Sequence, residues 1–477
     1  MKRRDATDEM KAYHDDEAIS VFNKWKIGEI DYYWENLLPP IQGAIYNGRK
    51  GIGYPPNGVE IQPVIPQNEL INVKKHLSKK HDDRTTIVDP KLIAEEYDND
   101  LTKHDLEEFP TLDYATQQKL RDEYNLLHDE IIDRGFYQCD YWNYIRELAK
   151  ILALFLYSFS FLKTNHLFWS AIFMGMAWQQ MTFIAHDAGH ISITHNYQLD
   201  NIFGIVIANW VGGLSLGWWK RNHNVHHIIT NDPVHDPDIQ HLPFFAVSTR
   251  LFGNVYSTYY DKFLWFDALA QRLIPIQNYM YYPLLCFGRF NLYRLGWTYL
   301  LAGEGPRKGK AAWFRYFEIA GLSFFFYWFF WLLVYKSLDD WSSRIQFVMV
   351  SHIATMIVHV QITLSHFAMS TADLGVSESF PQRQIRTTMD VDCPEWLDFL
   401  HGGLQFQAIH HLFPRLPRHN FRRAQPYVID FCRRMGLQYS IYGFGKGNKI
   451  VIGKLEEIAK QCSIMLEATK KLKDHDS

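Results

Sequence analysis

The 477-residue sequence predicts an all-α integral membrane protein, with four helices crossing the bilayer in two hairpins beneath a histidine-rich cap. Two observations carry this reading: long apolar stretches paired by short polar linkers, and three histidine clusters that each lie beside an apolar region. Residues 144–162 and 167–184 are nearly continuous in Leu, Phe, Ile, Ala and Trp, parted only by Lys163, Thr164, Asn165 and His166. Each approaches the roughly 20 residues that cross a hydrocarbon core, and so short a linker makes them a helical hairpin. A second hairpin runs over 313–335 and 347–367, joined by the polar stretch from Lys336 to Arg344.

The clusters are His186-Asp-Ala-Gly-His190, His223-Asn-Val-His226-His227 and Gln407-Ala-Ile-His410-His411. Spacings of three and four residues put their imidazoles on one helix face. Neutral imidazole is a common ligand for iron, zinc and copper, and so many convergent nitrogens exceed what one tetrahedral zinc can use. The reading is two iron ions. A single such cluster is as readily structural, but titratable groups beside membrane segments are costly unless they serve a purpose.

Residues 199–219 are long enough to cross, yet a crossing there would separate the first two clusters onto opposite faces. The run is therefore read as interfacial or packed within the protein, its Gly204, Gly212, Gly213 and Gly217 weakening a lipid-facing helix. Residues 279–301 carry Arg289 and Arg294 and are read as interfacial. Along the fourth span His352, His359 and His366 recur every seven residues as one stripe, the first two read as hydrogen-bonded packing residues.

Lys220, Arg221, Arg250, Lys262, Arg272, Arg307, Lys308 and Lys310 lie between the hairpins, against Lys163, Lys336 and Arg344 on the opposite side. The positive-inside rule puts the clusters and both termini in the cytosol. The start, Met1-Lys-Arg-Arg-Asp5, lacks the apolar core of a signal peptide, so insertion falls to the first hairpin. Apolar residues make up 47% of the chain, and mean hydropathy is only −0.23 because polar segments flank the membrane part. A net charge of −3 argues against bulk nucleic-acid binding, and five scattered cysteines without a CxxC read as free thiols.

In this order around two hairpins, His-Asp-x-Gly-His, His-x-x-His-His and Gln-x-x-His-His resemble the boxes of membrane fatty-acid desaturases of the front-end type, whose third box begins with Gln. The stretches from Asn222 to Pro233, His235 to Phe245, Gln361 to Phe367 and His401 to His419 are similar to fungal delta-8 sphingolipid desaturases. The resemblance implies an O2-dependent di-iron site that desaturates an acyl or sphingoid chain in the endoplasmic reticulum membrane. Such a C–H bond offers no acidity for a side-chain base, so a strongly oxidising metal site is the sensible tool.

By position the resemblance makes His186, His190, His223, His226, His227, His410 and His411 iron ligands. His366, in its Leu-Ser-His-Phe context, resembles the family's additional ligand. Gln407 stands where other desaturases have histidine, as ligand or support, and Asp187 is read as orienting a ligand imidazole. His235 and His241 read as loop residues, His401 and His419 as structural. Arg415, Arg418, Arg422 and Arg423 suggest contact with anionic lipid heads or an acidic electron donor. A front-end acyl desaturase or a lipid hydroxylase is the alternative, and a non-catalytic protein with a structural metal site is the alternative of another class.

Residues 1–38 resemble the C-terminal part of an α+β cytochrome b5 haem domain, with His14 at the position of the second haem ligand. No His-Pro-Gly-Gly occurs to supply the first, so haem is expected only in a complete version of that domain. Cytochrome b5 and its reductase are the implied electron donors. Residues 39–110 read as a polar linker and 111–477 as the membrane desaturase domain.

Overall fold

The computed structural model describes residues 6–26, 28, 90–375 and 377–476. Most of the expected linker therefore lies outside the described residues. Asp140 caps the first arm of the first hairpin, Tyr141–Lys163, its carboxylate accepting from Trp142 N at 3.0 Å. The chain reverses at Asn165, whose φ of 59° closes the turn, and returns as Leu167–Gly189. Ser158 and Ser170 each donate to the other's carbonyl, at 2.8 and 2.7 Å, which zips the hairpin where no water competes. The second hairpin pairs Phe314–Phe325 and its π-helical continuation Phe326–Lys336 with Trp341–Ile353 and Met356–Phe367.

Among the described residues, Gly309–Lys336 and Trp341–Phe367 are long and apolar enough to cross a membrane. The first hairpin is less apolar than its sequence run suggested, because Arg146, Glu147 and Lys150 start one arm and Gln179 and Gln180 sit in the other. It packs intimately all the same. At Gly175 an added Cβ would lie 2.3 Å from the carbonyl oxygen of Ser351, so the two hairpins touch backbone to backbone.

Between the hairpins the chain turns sharply. Tyr197–Val211 and Leu216–Ile228 meet at 117°. Glu318, 3% exposed, holds the bend: one carboxylate oxygen accepts from Asn209 Nδ2 at 3.0 Å, Ser215 Oγ at 2.6 Å and Gly217 N at 3.1 Å. Gly213, with φ of 74°, lies against Phe325 where no Cβ fits. The segment thus returns to the level at which it began, in line with the parity argument. Residues 279–301 form parts of two helices, Gln277–Leu285 and Gly288–Ala302, with Tyr279 and Arg294 exposed. Arg289 corrects the interfacial reading locally: it is buried, donates to the Gly212 carbonyl and lies 4.2 Å from the Trp178 ring centre.

The cap is built from the remaining helices, with two two-stranded ribbons, Val255–Ser257 with Lys262–Leu264 and Asp390–Asp392 with Ile441–Gly443. Within the stretch read as linker, Pro90–Glu108 is a 19-residue helix packed on the C-terminal helix Phe444–Asp476. The described part of residues 1–38 consists of two helices, Thr7–Tyr13 and Asp16–Asn23, with no strand among the described residues. Ala12 of the first enters the same core cluster as Leu120, Tyr124, Leu412 and Phe413.

Replacing Glu318 with Leu leaves three buried donors unpaired, each costing about 1–3 kcal/mol. The melting temperature in detergent should fall by several degrees, whereas Glu318→Gln, which keeps an acceptor, should lose much less. Equal melting of both variants with the parent would contradict this role.

Candidate metal centre

Four helix ends converge. His186 stands in the last turn of Leu167–Gly189 and His190 caps it; His223, His226 and His227 occupy the end of Leu216–Ile228. His366 closes Met356–Phe367, and His410 and His411 lie on the short helix Gln407–Leu412. Two all-histidine groups form among the described residues, His186, His190, His223 and His410, and His226, His366 and His411, and a third, His223, His226 and Asp238, overlaps both; the ligating atoms of each lie within 4.8 Å of one another. His227 lies between them, its ring stacked on His411 at 4.0 Å.

The nitrogens meet face to face. His227 Nε2 is 3.0 Å from His223 Nε2, and His226 Nε2 is 3.3 Å from His366 Nε2. Ligands bound at about 2.1 Å with tetrahedral to octahedral angles stand roughly 3.0–3.4 Å apart. His190 Nε2, His411 Nε2 and both nitrogens of His410 are buried with no hydrogen-bond partner among the described residues. Buried polar atoms are normally paired, so inward-facing orphans of this kind fit a cation. The donor set suits a divalent transition metal.

Behind the imidazoles stand groups that the sequence reading passed over. His226 Nδ1 donates to Asp236 at 2.8 Å, and His223 Nδ1 faces Asp238 at 3.5 Å. His411 Nδ1 donates to Gln384 Oε1 at 2.9 Å, while Gln384 Nε2 donates to the His227 carbonyl at 2.7 Å. Such partners fix which nitrogen faces inward. The Asp-Pro-Asp after His235 was the available signal, since both carboxylates follow the second box within one loop. Gln384 gave none. Its helix, Phe380–Thr387, is fastened by Arg386 to Glu378 and, at 2.7 Å, to Asp105.

Asp187 faces the His186 imidazole and also binds two groups beyond it. It is clamped by Arg418 and accepts from Tyr144, tying the first box to the loop after the third, and its nearer approach to His186 Nδ1 is 3.7 Å. Gln407 is buried at the start of the short helix that carries His410 and His411. His14 is exposed, its ring against Phe22 at 5.3 Å, and stands apart from both groups. His352 is bonded to Val348 and Tyr293, and His359 lies beside Gly288. His235 pairs with Thr258 and His419 with Glu147; His241 packs near Phe367 and the His401 carbonyl accepts from Gln361. Three of the four arginines are ion-paired, Arg415 with Asp15, Arg418 with Asp187 and Glu147, and Arg422 with Asp398, while Arg423 is exposed and lies over Phe136.

Burial, then the neighbouring imidazoles, pushes His227, His410 and His411 well below the usual histidine range. His223 falls to about 3, chiefly through burial. His226 goes the other way: burial lowers it, but Asp236 and Asp238 together outweigh burial. Most of the centre is therefore neutral at pH 7, the state a ligand needs.

An apolar helical body with a buried polyhistidine centre at its helix ends defines a membrane protein equipped to hold metal. The family model described as "Fatty acid desaturase" matches residues 163–443, and the chain belongs to that family of metal-dependent oxidoreductases. It is 62% identical to a "Delta 8-(E)-sphingolipid desaturase" of Candida albicans, over 98% of this chain and 90% of that one. Proteins of the same description from Lachancea kluyveri and Kluyveromyces lactis are each 60% identical, over 98% of this chain and 88% and 87% of theirs.

Because folded His223 has a lowered pKa, the unfolded chain binds more protons below about pH 6.5. The His223 contribution to the stability of the metal-free protein is full above that pH and should be lost as pH falls toward about 3. Denaturation midpoints that stay flat across this window would refute the assignment. Asp236→Asn should weaken metal retention about 10–100-fold, read by chelator competition.

Proposed function

We propose that this chain is a di-iron, O2-dependent desaturase that introduces a double bond, at the delta-8 position, into the long-chain base of sphingolipids or ceramides. The observation that carries the reading is the histidine centre buried at the ends of apolar helices, in a chain whose curated relatives are described by that activity over nearly its whole length. His186, His190, His223 and His410 would hold one iron, His226, His366 and His411 the other, with His227 between them. Gln407 and Asp187 support the boxes.

When bound, the irons and O2 supply the oxidant for two adjacent C–H bonds. The two hydrogens of the substrate, two further electrons and two protons reduce O2 to two waters, and the electrons are assigned to cytochrome b5 and its reductase. The chain's own residues do the rest. Burial keeps the imidazoles other than His226 neutral, Asp236 and Gln384 hold the tautomers of His226 and His411, and the Glu318 clamp sets the helix that carries three of the ligands. The hairpins exclude water from the lipid chain.

The topology we assign is four spans in two hairpins, in the endoplasmic reticulum membrane, with the centre and termini cytosolic. Residues 111–477 form the desaturase unit, 39–110 connect it, and 1–38 are the C-terminal part of a haem domain with His14 as its second ligand. The described residues alone do not fit haem, since among them no second histidine ring lies against His14. No step is routed through it.

Long-chain-base profiling in a desaturase-deficient host expressing the chain, with a complete cytochrome b5 and reductase, should reveal delta-8-unsaturated bases, and His410→Ala should abolish them. Unsaturation confined to acyl chains, hydroxylated bases, or iron uptake without any new lipid would each replace this reading.

A further inference from the structure

The nitrogens that face away from the centre follow a pattern with an instructive gap. His226, His411 and His223 each turn Nδ1 toward Asp236, Gln384 or Asp238. His227 presents Nε2 to the centre, 3.0 Å from His223 Nε2, while its Nδ1 is buried with no hydrogen-bond partner among the described residues. Tyr13 stands edge-on against the His227 ring at 6.2 Å, and its hydroxyl is likewise buried and unpartnered among the described residues. Two orphaned polar atoms on neighbouring rings are both costly, and one hydrogen bond, direct or through a single water, relieves both. His366 Nδ1 and His410 also lack a partner among the described residues, but neither has an orphaned hydroxyl on a neighbouring ring; the ring beside His410 is that of Phe421.

We propose that Tyr13 is a positioning residue of the metal centre, its hydroxyl accepting from His227 Nδ1, so that the N-terminal helix completes the support of the third imidazole of the second box. The proposal rests on the ligand roles assigned above. Helix Thr7–Tyr13 is held firmly enough for the task. Lys11 donates to Asn125 at 2.8 Å, Asp8 lies 3.6 Å from Arg121, and just beyond the helix Asp15 pairs with Arg415 at 3.2 Å. Ala12 is 1% exposed in the cluster formed with Tyr124, Leu412 and Phe413. Leu412, in the same cluster, directly follows His411. Residues 1–38 then contribute to the desaturase unit itself, beyond any haem-binding role.

The test uses the full chain in detergent, loaded with ferrous iron alone. Tyr13→Phe removes one oxygen and should keep the parent's helicity, yet weaken iron retention about 10–100-fold in chelator competition and alter the Mössbauer parameters of the iron. Tyr13→Ala should do the same and additionally loosen the helix. Tyr256→Phe, which removes a hydroxyl bonded to Asp261 on the surface, should leave retention unchanged. Iron retention and spectrum of Tyr13→Phe matching the parent would overturn this inference alone. A parent chain that takes up no iron would overturn the metal reading, and this inference with it.

Discussion

Several imidazole nitrogens in this protein point at one another from 3.0 to 3.3 Å with nothing of the protein between them. In an apolar surrounding that is an unstable way to leave lone pairs, unless a cation collects them. The rest of the structure answers to this one demand. Four helices from distant parts of the chain must end at the same point, and each end must be held to within a fraction of an ångström.

The holding is done by buried charge and polar clamps rather than by packing alone. Glu318 fixes the bend that returns the second box to the first. Arg418 joins Asp187 and Glu147, and Arg386 joins Glu378 and Asp105, so the first and third boxes and the Gln384 helix are each tied to another element. Buried pairs of this kind are poor sources of net stability, but breaking one is expensive, which makes them good at specifying a single arrangement. Around a centre whose chemistry depends on geometry, that is the useful property.

The boxes, the second hairpin and the returning segment were legible in the sequence because each is a local signal: histidine spacing, an apolar run, and a parity argument about two neighbouring clusters. His366 was legible from a seven-residue stripe and a family resemblance, and it falls in the same group as His226 and His411. What stayed hidden depends on contacts far apart in the chain. Gln384 and His227 are 157 residues apart, and Asp187 and Arg418 are 231. No periodicity announces such pairs. Asp187 illustrates the difficulty, since its place beside His186 gave no sign of the arginine beyond the third box that it also pairs with.

X-ray absorption at the iron edge, on protein purified with its native metal and quantified for metal per chain, addresses the central claim most directly. The account predicts two irons per chain, ligated mainly by imidazole nitrogen at about 2.1 Å. A single metal per chain, zinc in place of iron, or a shell dominated by carboxylate oxygen or thiolate would contradict it.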